Sequence, residues 1–131
     1  MNPETLGYRT VEVDGFRWRM IDEGTGPVVL MCHGFPGLAH SWRHQVRALS
    51  ANGYRAIALD MPGYGGTDRP EAVAQYSFAT VAGRIVALLD ELGIDDVLAV
   101  GHDFGSPTAW TLARRHRERV RGLMLMAMPY S

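Results

Sequence analysis

The sequence predicts an α/β protein, a mostly parallel sheet with helices on both of its faces. Three observations carry this. After an opening hairpin, short β-rich runs alternate with helix-length segments. One run, Val28 to Cys32, is apolar at every position, the mark of a strand buried on both sides. Gly- and Pro-containing stretches separate the runs where strand must turn into helix.

The elements follow in order. Tyr8 to Asp14 and Phe16 to Ile21 read as strands joined at Asp14-Gly15, a dipeptide suited to a tight hairpin. Gly24 to Pro27 is a turn, and Val28 to Cys32 the buried strand. His40 to Ala51 reads as a helix stopping near Gly53. Tyr54 to Asp60 is β-rich and closes in the loop Pro62-Gly63-Tyr64-Gly65-Gly66. Ser77 is placed to cap a helix through Leu92, with Val81, Ile85, Leu88, Leu89 and Leu92 on one face and Gly93 as its stop. Val97 to Val100 is a short strand, Pro107 to about His116 a helix, and Leu123 to Met126 a last strand. Strand–helix alternation of this kind specifies parallel pairing through crossover helices.

The composition bounds the function. With 131 residues, 47% hydrophobic and 21% charged, the chain can bury a real core. A net charge of -1 gives no electrostatic case for nucleic acid or an anionic membrane surface. No basic-then-apolar leader opens the sequence, and no apolar run approaches the roughly 20 residues that cross a bilayer. The single Cys32 excludes an internal disulfide and a cysteine-cluster metal site. A cytoplasmic location is expected, with no cofactor and no metal.

The most informative segment is Gly101-His102-Asp103-Phe104-Gly105, between a buried strand and a helix. Small flanking residues permit a sharp strand-to-helix turn that lifts the middle side chain above the sheet. There it meets a helix N-terminus, whose free N–H groups favour negative charge. In the related G-x-S-x-G pattern the middle residue is a serine nucleophile. Here it is Asp103. A carboxylate displaces a leaving group at saturated carbon and forms an alkyl ester. Water then attacks the carboxyl carbon of the aspartate, so the oxyanion forms on Asp103 itself. Two N–H groups must face it. One is expected from Phe104, the residue after the nucleophile. The second is expected from His33-Gly34-Phe35-Pro36-Gly37, directly after the buried strand and about 70 residues earlier, through the Phe35 N–H. Pro36 has no N–H to offer and stiffens the loop.

Taken together, His33-Gly34-Phe35-Pro36, Ser41-Trp42-Arg43-His44-Gln45, Asp60-Met61-Pro62-Gly63-Tyr64-Gly65 and Gly101-His102-Asp103-Phe104-Gly105 resemble the soluble epoxide hydrolases of the α/β-hydrolase superfamily. The resemblance runs from about Tyr8 to Tyr130. It implies that Asp103 opens an epoxide, with water as co-substrate, and that the Phe35 and Phe104 amides form the oxyanion hole. It also implies two tyrosines from a helical cap to activate the epoxide oxygen, and a histidine backed by an acid to activate the water. Phe104 stands where these enzymes usually carry tryptophan. Haloalkane dehalogenases hold the departing halide with that indole N–H, so a phenyl ring favours epoxide over haloalkane. Fluoroacetate dehalogenases, also similar, carry arginine there.

Family members are much longer, and their cap, acid and histidine follow the strand that would end near Met128-Pro129-Tyr130. Residues 1–131 are therefore expected to be the N-terminal part of an incomplete α/β-hydrolase core, without cap or C-terminal part. Gly122 to Met128 would then be a bare apolar edge, and the chain alone would be poorly soluble, self-associate, or pair with a C-terminal half. Two other readings fit the same residues: a dehalogenase-type hydrolase sharing the aspartyl ester, and a catalytically inactive fragment or binding module that keeps the elbow.

Other candidates carry less. Alternation along the strand would turn His102 away from Asp103. His33 reads as a brace for its loop, and His40, His44 and His116 as helix residues, solvated or packed. Gly63 to Gly66 lacks a phosphate-binding pattern. Asp60 and Asp68 suit loop hydrogen bonding, Cys32 should be inert in its strand, and Met124, Met126 and Met128 suit packing.

Overall fold

Six strands form one sheet in the order β1-β2-β4-β3-β5-β6 in the computed structural model, which describes residues 6–127. Strands β1 (Tyr8–Val13) and β2 (Phe16–Glu23) make the antiparallel hairpin. Asp14 and Gly15 take φ of 53° and 77°, as a two-residue turn of the type matching strand twist requires. β2 also pairs antiparallel with β4 (Arg55–Leu59). β3 (Val28–Cys32), β4, β5 (Val97–His102) and β6 (Val120–Met126) are mutually parallel.

The apolar run of β3 is explained by its central place. Val28, Leu30 and Cys32 face the helices α2 (Phe78–Glu91) and α3 (Gly105–Arg115), in a core with Trp18, Ile57, Leu59, Ile85, Leu88 and Leu112. Val29 and Met31 face the other way, toward Val46 of α1 (Arg43–Ala51), with Trp42, Ala56, Ala58 and Val100. One strand thus serves two layers of helix. No helix among the described residues is long and apolar enough to cross a membrane.

The helix α2 matches its sequence signals. The Ser77 Oγ accepts from the Thr80 N–H at 3.1 Å, and Gly93 ends the helix at φ 69°. Other boundaries need correction. The helix expected from His40 begins as a 3-10 turn, Ala39–Trp42, before α1, because the Asp60 carboxylate and the Ser41 hydroxyl hold its first N–H groups. His40 lies in that turn, and His116 is the residue capping α3. α3 starts two residues before Pro107, leaving the proline in the first turn, where its missing N–H costs nothing. β6 starts three residues earlier than expected, where Arg121 bridges to the Val28 carbonyl at 2.7 Å. It ends at Met126; Met128, Pro129 and Tyr130 lie outside the described residues.

The strand order positions the site. From β3 the chain crosses to β4 on one side, then returns through α2 to β5 on the other side of β3. The loops leaving the C-terminal ends of β3 and β5 are therefore neighbours that depart in opposite directions. Such a switch point opens a crevice at the sheet edge.

Candidate active site

At that crevice β5 turns into α3 through Asp103, held at φ 54°. This left-handed conformation is uncommon outside glycine and marks the elbow as constrained. Three hydrogen bonds fix it. The Asp103 N–H donates to the Met126 carbonyl at 3.0 Å, and the Ser106 N–H donates to the Asp103 carbonyl at 3.0 Å. The Ser106 hydroxyl reaches the same Met126 carbonyl at 3.1 Å. The elbow is thus tied to the end of β6.

Two glycines let the backbones meet. A Cβ on Gly105 would run into the Cys32 and His33 carbonyls, so α3 could not sit against the end of β3. A Cβ on Gly34 would run into the Asp103 side chain. With Gly34 bare, the loop after β3 lies directly over the carboxylate. The Phe35 N–H donates to the Asp103 Oδ2 at 3.1 Å. Among the described residues, the Phe104 N–H, at the head of α3, has no acceptor, and neither has the Asp103 Oδ1 a donor. The phenyl rings of Phe35 and Phe104 are both largely exposed, at 64% and 59%.

A second layer holds the loop. The buried His33 uses both ring nitrogens: Nδ1 sits 2.9 Å from the Gly34 carbonyl, and Nε2 accepts from the Met61 N–H at 3.0 Å. Burial holds the His33 pKa below its usual value, against the Gly34 hydrogen bond and the Asp60 charge, which raise it. The buried Asp60 accepts from the Ala39 N–H at 2.8 Å and the Gly66 N–H at 3.1 Å, with the Arg19 guanidinium at 3.7 Å. It joins the loops after β3 and β4. Asp68 accepts from the Arg17 N–H at 2.8 Å and plays a similar local part. Burial pushes the Cys32 thiol up to about 12, which leaves it un-ionised.

The expected residues Asp103 and Phe35 therefore meet, and Phe104 flanks them. His102 makes no hydrogen bond to the Asp103 carboxylate among the described residues. It lines the same open cavity of about 410 Å³ as the 34–37 loop, edge-on to Trp42 with ring centroids 6.5 Å apart. Ser41, Gln45 and Met126 also line the cavity; Ser41 and Gln45 belong to the 41–45 stretch that carries the resemblance, whereas Met126 carried no local signal. Their proximity is set by strand order alone.

A family model described as alpha/beta hydrolase fold matches residues 27–130. The chain belongs to that α/β-hydrolase family. Among curated proteins it is similar to Epoxide hydrolase 3 of Siraitia grosvenorii, 44% identical across 97% of this chain and 40% of the relative. It is also similar to Epoxide hydrolase A of Mycobacterium tuberculosis, 41% identical across 92% of this chain and 38% of the relative. Among solved structures, an epoxide hydrolase from Vigna radiata superposes with a TM-score of 0.92 at 43% identity, over 99% of this chain and 42% of that one. An epoxide hydrolase from an endophytic Streptomyces gives 0.89 at 40% identity, over 95% and 38%. This α/β-hydrolase chain spans about two fifths of the length of the curated relatives it matches, 40% for the first.

Proposed function

We propose that this chain carries the nucleophile half of an epoxide hydrolase site, acting on a small-molecule epoxide with water. The observation that carries the reading is the Phe35 N–H on the Asp103 Oδ2, with Asp103 held at φ 54°. Oδ1, which has no donor among the described residues, attacks a ring carbon from behind. The carbon–oxygen bond of the ring breaks, the electron pair leaves on the epoxide oxygen, and an alkyl ester of Asp103 forms. Oδ2 becomes the ester carbonyl oxygen. When hydroxide or an activated water attacks that carbonyl carbon, negative charge develops on Oδ2, where the Phe35 N–H already points. The Phe104 N–H, at the positive end of the α3 dipole, is the second donor.

The hydrolytic half-reaction needs a base that these residues do not supply. None of the histidines has the geometry of such a base: His33 is committed through both nitrogens, and the Asp103 carboxylate has no histidine partner among the described residues. The ester is expected to accumulate on the chain alone, and a second polypeptide carrying the base should restore turnover. Location in the cytoplasm belongs to this reading. The phenyl ring of Phe104 has no N–H for a halide, which supports an epoxide over a haloalkane.

The test runs the chain with an aryl epoxide and, separately, with a chloroalkane. Covalent ester from the epoxide and no chloride from the chloroalkane are expected. Chloride release would move the reading to a dehalogenase. No ester from either reagent, and no turnover on adding the second polypeptide, would move it to an inactive binding module.

A further inference from the structure

The Gly34 carbonyl and the Phe35 N–H are two ends of one peptide unit, and that unit is a rigid plane. Its N–H faces the Asp103 Oδ2 at 3.1 Å. Its carbonyl faces the His33 Nδ1 at 2.9 Å. A carbonyl only accepts, so Nδ1 carries the proton. The Met61 N–H only donates, at 3.0 Å, so Nε2 is bare. The partners thus select one neutral tautomer of His33 without reference to any titration.

We propose that His33 is the positioning residue of the oxyanion loop, whose neutral Nδ1–H form sets the tilt of the Gly34–Phe35 peptide and so aims the Phe35 N–H at Asp103. The proposal rests on the reading of Asp103 and Phe35 given above. The Met61 bond anchors the imidazole to the loop after β4, so that loop holds the peptide plane from outside the 33–37 segment. Donation to the carbonyl also polarises the amide and strengthens its N–H as a donor. Protonation would put a second hydrogen on Nε2 against the Met61 N–H. That repulsion would release the ring and, with it, the peptide.

The groups facing His33 define what else titrates nearby. They are Asp60 at the end of β4, paired with Arg19 of β2; Tyr64, whose ring meets the imidazole edge-on at 4.9 Å; Asp103 across the loop; and His102 in the same cavity. Asp60 holds the Ala39 and Gly66 amides, which are distinct from the Phe35 and Met61 amides that report on His33.

The experiment follows the His33 ring nitrogens and the Phe35 and Met61 amides of the full chain by ¹⁵N NMR as pH falls from 8 to 4.5. Wild type, Asp103→Asn and His33→Gln are compared, and covalent ester formation with an aryl epoxide is timed at pH 8. At high pH, Nδ1 should carry the proton. As the imidazole protonates, the Phe35 and Met61 amides should shift with its midpoint. Asp103→Asn should keep this step, since it does not arise from the carboxylate. His33→Gln, which has a donor and an acceptor but does not ionise, should lose it. His33→Phe should slow ester formation roughly tenfold, the scale of one hydrogen bond, and His33→Gln should recover most of the loss. An Nε2–H tautomer, or a Phe35 amide indifferent to His33 protonation, overturns the proposal even if ester forms. Linked amides with no ester on a folded wild-type chain support the aiming role and overturn the epoxide hydrolase reading instead.

Discussion

Asp103 and His33 show how much can rest on single side chains. His33 is buried, and burial disfavours its cation, so its pKa lies below the usual value. An unfolded chain takes up this proton near pH 6.5, whereas the folded chain waits for a lower pH. Above 6.5 both states are neutral there and the contribution is complete. As pH falls below 6.5 and through the folded value, the unfolded state gains protons first and stability is lost. Urea midpoints of wild type should therefore drop between pH 7.5 and 5.5 by more than those of His33→Gln. Equal drops would place the loss elsewhere. Asp22 acts at lower pH. Burial raises its pKa, but the Arg55 and Arg9 guanidinium groups outweigh this and hold it below 3.8, so its share is lost only in stronger acid. At this scale the pairing of Asp103 with Phe35 was legible, since each follows a buried strand in a recognisable pattern. That Asp60 serves loop hydrogen bonding was legible too, but its partners, the Ala39 and Gly66 amides, were not. They depend on loops brought together by strand order.

The elements were legible where their signals are local. α2 has its cap, its apolar spacing and its terminating glycine within one segment, and each is found where expected. α3 was less so, because its first residue is fixed by contact with β3 rather than by Pro107. The two helices give a direct comparison. Ser77→Ala removes the cap bond from the Thr80 N–H and the hydroxyl contact with the Thr80 side chain, both exposed, and should cost about 1 kcal/mol of stability. Gly105→Ala drives a methyl group into the Cys32 and His33 carbonyls, backbone atoms that cannot swing aside. Its cost should exceed that of the cap, on the order of 1–3 kcal/mol or more. Chemical denaturation of both variants measures this order. A Gly105→Ala chain as stable as Ser77→Ala would mean that α3 does not seat on β3 as described.

Across the whole molecule, the fold class and both helix layers followed from alternation, while the strand order did not, because pairing β3 between β4 and β5 is a long-range choice. Among the described residues the order leaves two different outer strands. The outer strand β1 exposes Arg9, Thr10 and Glu12, which discourage pairing with another chain. Among the described residues β6 pairs with β5 alone and exposes Met124 at 52% and Met126 at 36%. An apolar edge of this kind templates association. Sedimentation of the chain should show concentration-dependent self-association that Met124→Arg weakens. A monodisperse monomer at all concentrations would contradict this.

The central claim is that the Asp103 carboxylate is a nucleophile aimed by the loop after β3. The most direct measurement is the intact mass of the folded chain before and after a reactive aryl epoxide, with fragment sequencing to locate any added group and Asp103→Asn as control. The account predicts one stable adduct per chain, located on Asp103 and absent from the variant. A folded wild-type chain that stays unmodified, or an adduct equal in both proteins, would contradict it.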